Sequence, residues 1–418
     1  MSDLVLRGGV VLGPQGPVTA DVLISEGRIV EVGNDLDAVT VIDCKGSLVG
    51  PGFVDIHVHF REPGQEWKED IESGSKAAAA GGFTAVVAMA NTEPATDSGH
   101  LARYVRERGG EVGLIDVVPA GAITLGRKGE HLAHLDELWR AGVRLFSDDG
   151  DAVQDAGLLR LAMEYISDLG GTVAQHAEDL GLSRYGHMHE GAVSSRLGMR
   201  GIPAAAEETI VARDISLVEL TGATYHVQHV STAGTVELVR TAKGRGLPVT
   251  AEAAPHHLAL DHTEIEKMDS AYKMYPPLRT PEDVSAVADA LRDGTIDAVA
   301  TDHAPHAAFE KDVPFEEAPR GVIGLETSAA VVQTFVGLDP FTLFERMAIA
   351  PARIAGLDEH GRWLEPGVVA NVVVFSPGTQ WTPERFASRS ENSPFRGRTL
   401  TGRVVATVHN GVVTYRWE

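Results

Sequence analysis

The feature that most constrains this chain is a strand-and-helix unit that recurs along its middle. Each unit begins with an apolar run rich in Val, Ile and Ala, and a helical i, i+3, i+4 pattern follows it. The eight apolar runs are 53–59, 83–90, 112–120, 143–147, 172–177, 224–229, 249–255 and 298–303. Strands without a polar face that alternate with helices are typical of a parallel sheet covered on both sides. Eight such units within about 250 residues predict a (β/α)8 barrel.

The two ends of the chain carry a different pattern. Residues 3–49 alternate short apolar runs with Gly, Pro and Asp turn signals, and the same pattern returns after residue 367. Short strands at both termini predict one small β-sandwich domain built from two pieces. We therefore predict an α/β protein, with a small composite β domain of residues 1–51 and 360–418. Residues 52–359 form the predicted TIM-like barrel.

Charge and cysteine usage exclude several classes of protein. The sequence has 36 Lys and Arg against 59 Asp and Glu, a formal net charge of −23. Such a chain repels phosphate backbones and anionic lipid surfaces, which argues against nucleic-acid and membrane partners. The single cysteine, Cys44, excludes an internal disulfide framework and a Cys-rich metal site. No signal-peptide pattern and no bilayer-length apolar run occur, so we expect a cytoplasmic protein.

Side chains that can bind metal ions stand at the predicted carboxyl ends of five strands, where barrel enzymes carry their catalytic residues. Imidazole and carboxylate groups are usual ligands of zinc and similar divalent ions. One His-x-His pair is a weak signal, and an acidic pair before a glycine is ordinarily a helix cap. The joint placement instead predicts two metal ions that share a bridging carboxylate. The residues are His57, His59, Asp148 or Asp149, His176, His229 and Asp302.

Ordered motifs, several of which contain these residues, run along nearly the whole chain. They include His57-Val58-His59-Phe60-Arg61-Glu62-Pro63-Gly64, Asp148-Asp149-Gly150, Pro255-His256-His257-Leu258 and Thr301-Asp302-His303-Ala304-Pro305-His306. This set resembles class I dihydroorotases of the amidohydrolase superfamily. The resemblance implies an enzyme that reversibly cyclises N-carbamoyl-L-aspartate to L-dihydroorotate, the third step of de novo pyrimidine biosynthesis.

The resemblance also implies a pair of zinc ions, bridged by Asp149 and a hydroxide. His57, His59 and Asp302 would hold the first ion, and His176 and His229 the second. Many relatives bridge their metals with a carboxylated lysine, but strand four of this sequence contains no lysine. Asp148 stays open as the alternative bridge. Asp302 would act as the proton shuttle, first as base and then as acid.

Substrate contacts follow from the resemblance as well. Arg61, Asn91 and His306 match residues that hold the carboxylate and ring of the substrate, and Arg61 offers the bidentate fork that a carboxylate suits. The backbone of Arg320-Gly321 matches a segment that lies over the ring. Tyr275 stands where relatives usually carry an asparagine that contacts the substrate, and a phenol cannot reproduce the paired donor and acceptor of an amide.

Two alternatives stay open. One is another cyclic amidohydrolase, such as an allantoinase or a hydantoinase, against which Arg61 and Asn91 argue because those relatives bind substrates without a matching carboxylate. The other is a non-catalytic dihydroorotase-like subunit of aspartate transcarbamoylase, against which the complete set of metal ligands argues. The resemblance implies a homodimer, and association with aspartate transcarbamoylase stays open.

Overall fold

The computed structural model describes residues 3–417. Its strands are β1 (Leu4–Gly13), β2 (Gly16–Ser25), β3 (Arg28–Gly33), β4 (Thr40–Asp43), β5 (Leu48–Pro51), β6 (Phe53–Val58), β7 (Phe83–Ala88), β8 (Asp116–Pro119), β9 (Leu145–Phe146), β10 (Thr172–Gln175), β11 (Met188–His189), β12 (Gly201–Ile202), β13 (Tyr225–Val227), β14 (Val249–Ala253), β15 (Ala298–Val299), β16 (Val372–Trp381), β17 (Leu400–His409) and β18 (Val412–Arg416).

The helices cover the intervals between the central strands. They are α1 (Ile71–Ala80), α2 (Gly99–Val112), α3 (Leu135–Arg140), α4 (Ala156–Leu169), α5 (Leu180–Ser183), α6 (Ala192–Leu197), α7 (Ala205–Thr221), α8 (Ala233–Gly244), α9 (Pro255–Ala259), α10 (Pro281–Asp293), α11 (Ala308–Lys311), α12 (Ser328–Val331), α13 (Pro340–Phe344) and α14 (Ala350–Ala355). Short 3₁₀ segments occur at Leu125–Arg127, His262–Lys267 and Ser270–Tyr272, and π-helical turns at Val332–Val336 and Glu345–Ile349. Across residues 3–417, no helix is both long and apolar enough to cross a membrane.

The central strands form two parallel sheets. One contains β6, β7 and β8, and the other has the order β9-β10-β13-β14-β15. Isolated parallel bridges join the two sheets on both sides, between Gly121 and Phe146 and between Val58 and His303. Every position of β6 and β7 is buried, as expected for strands covered on both faces. The mixed α/β class predicted from the sequence is confirmed.

Strands from both chain ends pair in a further sheet. Its order is β18-β17-β16-β5-β1-β2-β3, with β4 paired to the start of β1. A register shift in β1 between Leu6 and Gly9 separates the part that pairs with β4 from the part that pairs with β5. Because the strands follow one pairing path, the sandwich arrangement and the domain limits stay predictions.

An aromatic cluster joins this terminal sheet to the central one. The ring of Phe53 in β6 lies 5.9 Å from Phe83, 5.3 Å from Phe344 and 6.3 Å from Phe375 of β16, measured between centroids. Edge and tilted contacts at these distances stabilise aromatic cores. The amino-terminal end of β6 therefore packs against residues from both parts of the chain. The predicted site residues lie at its carboxyl end and just after it.

Several predicted strand boundaries differ from the structure, most of all at the third central strand. The strand predicted at 112–120 begins only at Asp116, because α2 continues through Val112 and ends at Gly113, whose φ of 67° is left-handed. Several other strands are shorter than predicted, since their last residues leave the hydrogen-bonded ladder. In the last predicted strand, 298–303, one of these residues is Asp302, a predicted metal ligand.

Candidate active site

The strand ends that carry the predicted site bend sharply. Arg61, His229 and Asp302 adopt positive φ values of 60°, 31° and 47°. A residue with a side chain rarely adopts this conformation, which costs on the order of 1–3 kcal/mol and persists where function requires it. These bends turn the side chains at the ends of three different strands toward a common centre.

The carboxylate of Asp149 lies among the predicted metal-binding histidines. Its Oδ1 is 3.2 Å from His57 Nε2, and its Oδ2 is 3.4 Å from His59 Nε2. The same Oδ1 lies 3.6 Å from His176 Nδ1 and 3.5 Å from His229 Nε2. Oδ1 of Asp149 therefore lies among the imidazoles of His57, His176 and His229, and Oδ2 lies next to that of His59.

Asp302 completes the group on the side of the first two histidines. Its Oδ1 is 3.0 Å from His59 Nε2 and 3.7 Å from His57 Nε2. His176 Nδ1 and His229 Nε2 are 2.8 Å apart on the other side. The structure thus brings together all six residues that the sequence predicts as metal ligands.

Several nitrogen and oxygen atoms of these side chains have no hydrogen-bond partner in the described chain. Within the described chain, His57 Nε2, Asp149 Oδ1, His176 Nε2 and His229 Nδ1 are buried without a hydrogen bond. Unsatisfied buried polar atoms are costly and are normally paired. Two triplets of donors, His57/Asp149/His229 and His57/His59/Asp302, have ligand atoms within 4.8 Å of one another. Nitrogen and oxygen donors at this spacing fit divalent ions of the zinc type.

The protein field keeps the carboxylates of the site ionised. Burial alone would raise the pKa of Asp149, but His57, His176 and His229 hold it well below its usual range. Burial would likewise raise the pKa of Asp302, and its contact with His59 lowers it overall. Deprotonated carboxylates are the form that binds a metal ion.

The neighbouring Asp148 points away from this centre. Its Oδ1 accepts hydrogen bonds from the backbone N–H groups of Ile123 and Thr124, at 2.8 Å and 3.0 Å. Its Oδ2 accepts from the hydroxyl of Thr124. Burial raises the pKa of this carboxyl. Asp148 therefore fixes the turn after β8, and only Asp149 faces the histidines.

A cavity of about 250 Å³ opens above the metal-binding residues. All six residues predicted to contact substrate line it: Arg61, Asn91, Tyr275, His306, Arg320 and Gly321. Five of the six predicted metal ligands line it too, while His57 lies fully buried beneath. Donors for metal ions and groups for a small polar molecule thus share one concave site.

One wall of the cavity is built by Tyr275 and Arg320. The ring of Tyr275 lies 4.8 Å from the ring of His176, and the guanidinium of Arg320 lies 3.9 Å above Tyr275. Arg320 Nη2 donates to the carbonyl of Gly186 at 2.8 Å. The tyrosine therefore packs against a predicted metal ligand on one face and a cation on the other, which holds both flat groups in place.

The opposite side offers a buried cation and a neutral imidazole. Arg61 is 8% exposed, and its Nε donates to the carbonyl of Pro305 at 3.3 Å. Burial lowers the pKa of Arg61 to about 10, which leaves it charged at neutral pH. His306 Nε2 donates to the carbonyl of Arg320 at 2.8 Å, and burial beside Arg61 lowers its pKa to about 2. Asn91 Oδ1 accepts from His59 Nδ1 at 2.7 Å.

The sequence analysis did not identify Glu252, which contacts two of the predicted metal ligands. This residue lies in β14 with 1% of its surface exposed, and its Oε1 is 2.6 Å from His57 Nδ1. The signal for it was a lone acidic residue inside the otherwise apolar run 249–255. A charged side chain that is buried in the middle of a strand requires a polar partner, so the partner must lie inside the protein.

Comparison with known proteins places this geometry in a family. Residues 46–235 match the family model described as "Dihydro-orotase-like". The chain is 45% identical over 424 residues to a protein from Geotalea daltonii named dihydroorotase, with 99% of each chain covered. It is 46% identical to a dihydroorotase from Pelotomaculum thermopropionicum, with 98% of each covered.

A solved structure matches the fold along the same length. The dihydropyrimidinase from Brevibacillus agri superposes with a TM-score of 0.85 at 25% identity, covering 99% of this chain and 95% of its own. The architecture described above is therefore that of a cyclic amidohydrolase.

Proposed function

Because this chain belongs to the dihydroorotase family and is a cyclic amidohydrolase that interconverts N-carbamoyl-L-aspartate and L-dihydroorotate, we propose how its residues divide that work. The single observation that carries the proposal is the shared cavity. In it, five of the six proposed metal ligands meet a buried arginine that has no carboxylate partner among the described residues, and His57 lies directly beneath. A substrate with a carboxylate next to a cyclic amide fits this site, because the carboxylate can pair with the arginine while the amide lies at the proposed metal ligands.

The metal ions are proposed to be two zinc ions. His57, His59 and Asp302 would hold one ion, His176 and His229 the other, and Asp149 would bridge them. The unpaired donor atoms of this group support the assignment. Bound zinc supplies Lewis-acid polarisation of a carbonyl group and lowers the pKa of water to about 7. Metal analysis of the purified protein tests the identity and the number of the ions.

Asp302 is proposed to move the proton. Its carboxylate lines the cavity and lies 3.0 Å from His59 Nε2. In the hydrolytic direction, water oxygen bonds to the ring carbonyl carbon and the ring C–N bond breaks. Asp302 takes the proton from that water and passes it to the departing nitrogen. In the biosynthetic direction it removes a proton from the ureido nitrogen and delivers it to the leaving oxygen.

Arg61 is proposed to bind the substrate carboxylate that takes no part in ring closure. Among residues 3–417, no acidic side chain lies within the 4.0 Å of an ion pair with this buried guanidinium. A buried cation without a partner is costly, and a substrate carboxylate would supply the missing charge through two parallel hydrogen bonds. Asn91 and His306 flank the same part of the cavity, and Tyr275 with Arg320-Gly321 would cover the ring.

We also propose the finer architecture and the assembly. The bridges between Gly121 and Phe146 and between Val58 and His303 support closure of the eight parallel strands into a (β/α)8 barrel over residues 52–359. Residues 1–51 and 360–418 would form the small composite domain. Family membership supports a homodimer, and association with aspartate transcarbamoylase is tested by sedimentation of the two proteins together.

The decisive experiment measures turnover of dihydroorotate, allantoin and hydantoin by the purified protein, with and without added zinc. We expect metal-dependent turnover of dihydroorotate alone, because only that substrate carries a carboxylate for Arg61. Turnover confined to allantoin or hydantoin would refute the proposed division of roles. A metal-loaded protein without activity on any substrate would point to a non-catalytic subunit.

A further inference from the structure

Glu252 is a buried carboxylate that hydrogen-bonds with two of the proposed metal ligands and with His226. Its Oε1 accepts from His57 Nδ1 at 2.6 Å and from the backbone N–H of His229 at 3.3 Å. Its Oε2 accepts from His226 Nε2 at 3.0 Å. One carboxylate thus contacts a ligand proposed for the first ion and the backbone of a ligand proposed for the second.

The partner of an imidazole nitrogen decides which nitrogen carries the proton. A carboxylate oxygen 2.6 Å from His57 Nδ1 requires a proton on Nδ1, so the lone pair of this ring is on Nε2. That Nε2 is the atom that faces Asp149 and Asp302 and has no hydrogen-bond partner in the described chain. Glu252 therefore presents the free lone pair of His57 to the place where a metal ion would lie.

The carboxylate is itself held in place. The ionised carboxylate of Glu252 can only accept, so His226 Nε2 carries the proton of this hydrogen bond, and His226 Nδ1 accepts from the hydroxyl of Thr250 at 2.8 Å. His226 and Thr250 lie on adjacent strands, β13 and β14, that pair in parallel register. Two strands thus fix the orientation of Glu252 before any ion arrives.

From this chain of contacts we propose that Glu252 is the positioning residue of the metal centre, which orients the His57 imidazole and ties it to the backbone of His229. The inference rests on the proposed metal site and assigns it a residue outside the ligand set. A carboxylate behind a metal-binding histidine fixes the ring and strengthens its donor nitrogen. His59 has only the neutral amide oxygen of Asn91 behind it, so the charged support is specific to His57.

The test compares Glu252→Gln and Glu252→Asp with a matched control, Asp214→Asn. Glutamine keeps the shape and removes the charge, whereas aspartate keeps the charge and is too short to reach His57. Asp214 is an equally buried carboxylate whose Oδ2 accepts from Tyr225 Oη at 2.7 Å, and it contacts none of the six proposed ligands. Zinc affinity of the metal-free proteins is measured by competition with a chromophoric chelator, and folding by thermal unfolding without metal.

We expect both Glu252 variants to bind zinc about 10–100-fold more weakly, the range typical of lost support behind a ligand. The Asp214 variant should keep the affinity of the wild type even if it unfolds at a lower temperature. At saturating zinc the Glu252 variants should keep a normal KM, because Glu252 does not line the cavity.

The outcomes separate this inference from the proposed function. Wild-type zinc affinity in both Glu252 variants would overturn the positioning role while leaving the metal site intact. A wild-type protein that binds no zinc, or that turns over dihydroorotate without it, would remove the metal site itself. If Glu252→Gln fails to fold, the affinity of Glu252→Asp alone decides, since that variant keeps the buried charge next to His226.

Discussion

At the scale of single residues, the site is defined by groups whose burial is costly unless something binds to them. Arg61 is a buried cation, and in the described chain Asp149 Oδ1 and His57 Nε2 are buried polar atoms without a hydrogen-bond partner. Each of these costs free energy unless a bound group pairs with it. Their shared location indicates that the cost is recovered when metal and substrate bind.

Replacing Arg61 with lysine tests the carboxylate contact. Lysine keeps the charge and loses the planar fork, so we expect KM for dihydroorotate to rise about 10–100-fold with a smaller change in kcat. Steady-state kinetics at fixed zinc measure both constants. Arg61→Met serves as the control that removes the charge as well, and this variant should have an even higher KM for dihydroorotate. An unchanged KM in the lysine variant would argue against a bidentate contact.

Replacing Asp302 with alanine tests the proton shuttle. We expect kcat to fall by at least about 10²–10⁴-fold, the usual contribution of a general acid–base group. At least the ion proposed for His176 and His229 should stay bound, because those ligands are untouched. Turnover and zinc content are measured on the same sample. Near-normal turnover in this variant would exclude Asp302 as the shuttle.

At the scale of elements, the ends of the strands decide which side chains reach the cavity. The end of β9 carries two adjacent aspartates that point in different directions, one to the turn after β8 and one to the histidines. The segment 305–319, which contains α11 and connects β15 to α12, is held by buried lysines. Lys273 Nζ donates to the carbonyl of Phe315 at 2.7 Å, and Lys311 Nζ to that of Pro319 at 2.9 Å.

The pair Asp148→Asn and Asp149→Asn distinguishes the two aspartates. We expect Asp148→Asn to lower the free energy of unfolding by about 1–3 kcal/mol, because its buried hydrogen bonds to the 123–124 turn are impaired, and to keep both metal ions. Asp149→Asn should lose zinc instead. Denaturant titration and metal analysis measure the two effects. Zinc loss in the Asp148 variant alone would show that Asp148, and not Asp149, binds the metal ions.

Lys311 should make stability depend on pH. Burial lowers the pKa of Lys311 to about 7, whereas an unfolded lysine has a pKa of about 10.4. Between these values the unfolded chain binds the extra proton, so the free energy of unfolding rises with pH. Lys311→Met should reduce this rise between pH 7 and pH 9 in denaturant titrations. An identical slope in the variant would show that Lys311 does not contribute to it.

At the scale of the whole molecule, the terminal sheet is attached to the parallel strands through a small polar cluster as well as through aromatic packing. Asp116 at the start of β8 lies 2.7 Å from His360 Nε2 and 3.4 Å from His409 Nε2 of β17. Burial alone would raise the pKa of Asp116, but hydrogen bonds with His360 and His409 lower it overall. This contact joins residues that are more than 240 positions apart in the chain.

Replacing Asp116 with asparagine should weaken that attachment at neutral pH only. A carboxyl with a lowered pKa in the folded state contributes stability above its unfolded pKa of about 3.9 and loses it as the pH falls further. Asp116 is half exposed, so we expect a loss of no more than about 1 kcal/mol at pH 7. Denaturant titrations should show wild type and variant converging below pH 4. A constant difference would contradict the ionic origin.

The sequence alone was sufficient for the strand order, the mixed α/β class and the identity of the chemical groups. Apolar runs of strand length and helical periodicity are local properties, and the ordered motifs around His57 and Asp302 identify a family whatever the fold details. Strand boundaries were less well predicted: the strand expected from residue 112 starts only at Asp116, because α2 continues through Val112.

Tertiary structure decided which of two neighbouring residues faces the site and what stands behind it. The choice between Asp148 and Asp149 depends on where the 123–124 turn places its N–H groups, and no local pattern encodes that position. Glu252 matters because strands distant in sequence place it behind His57, 195 residues away. Such contacts depend on the distances and directions between strands, which only the packed chain determines.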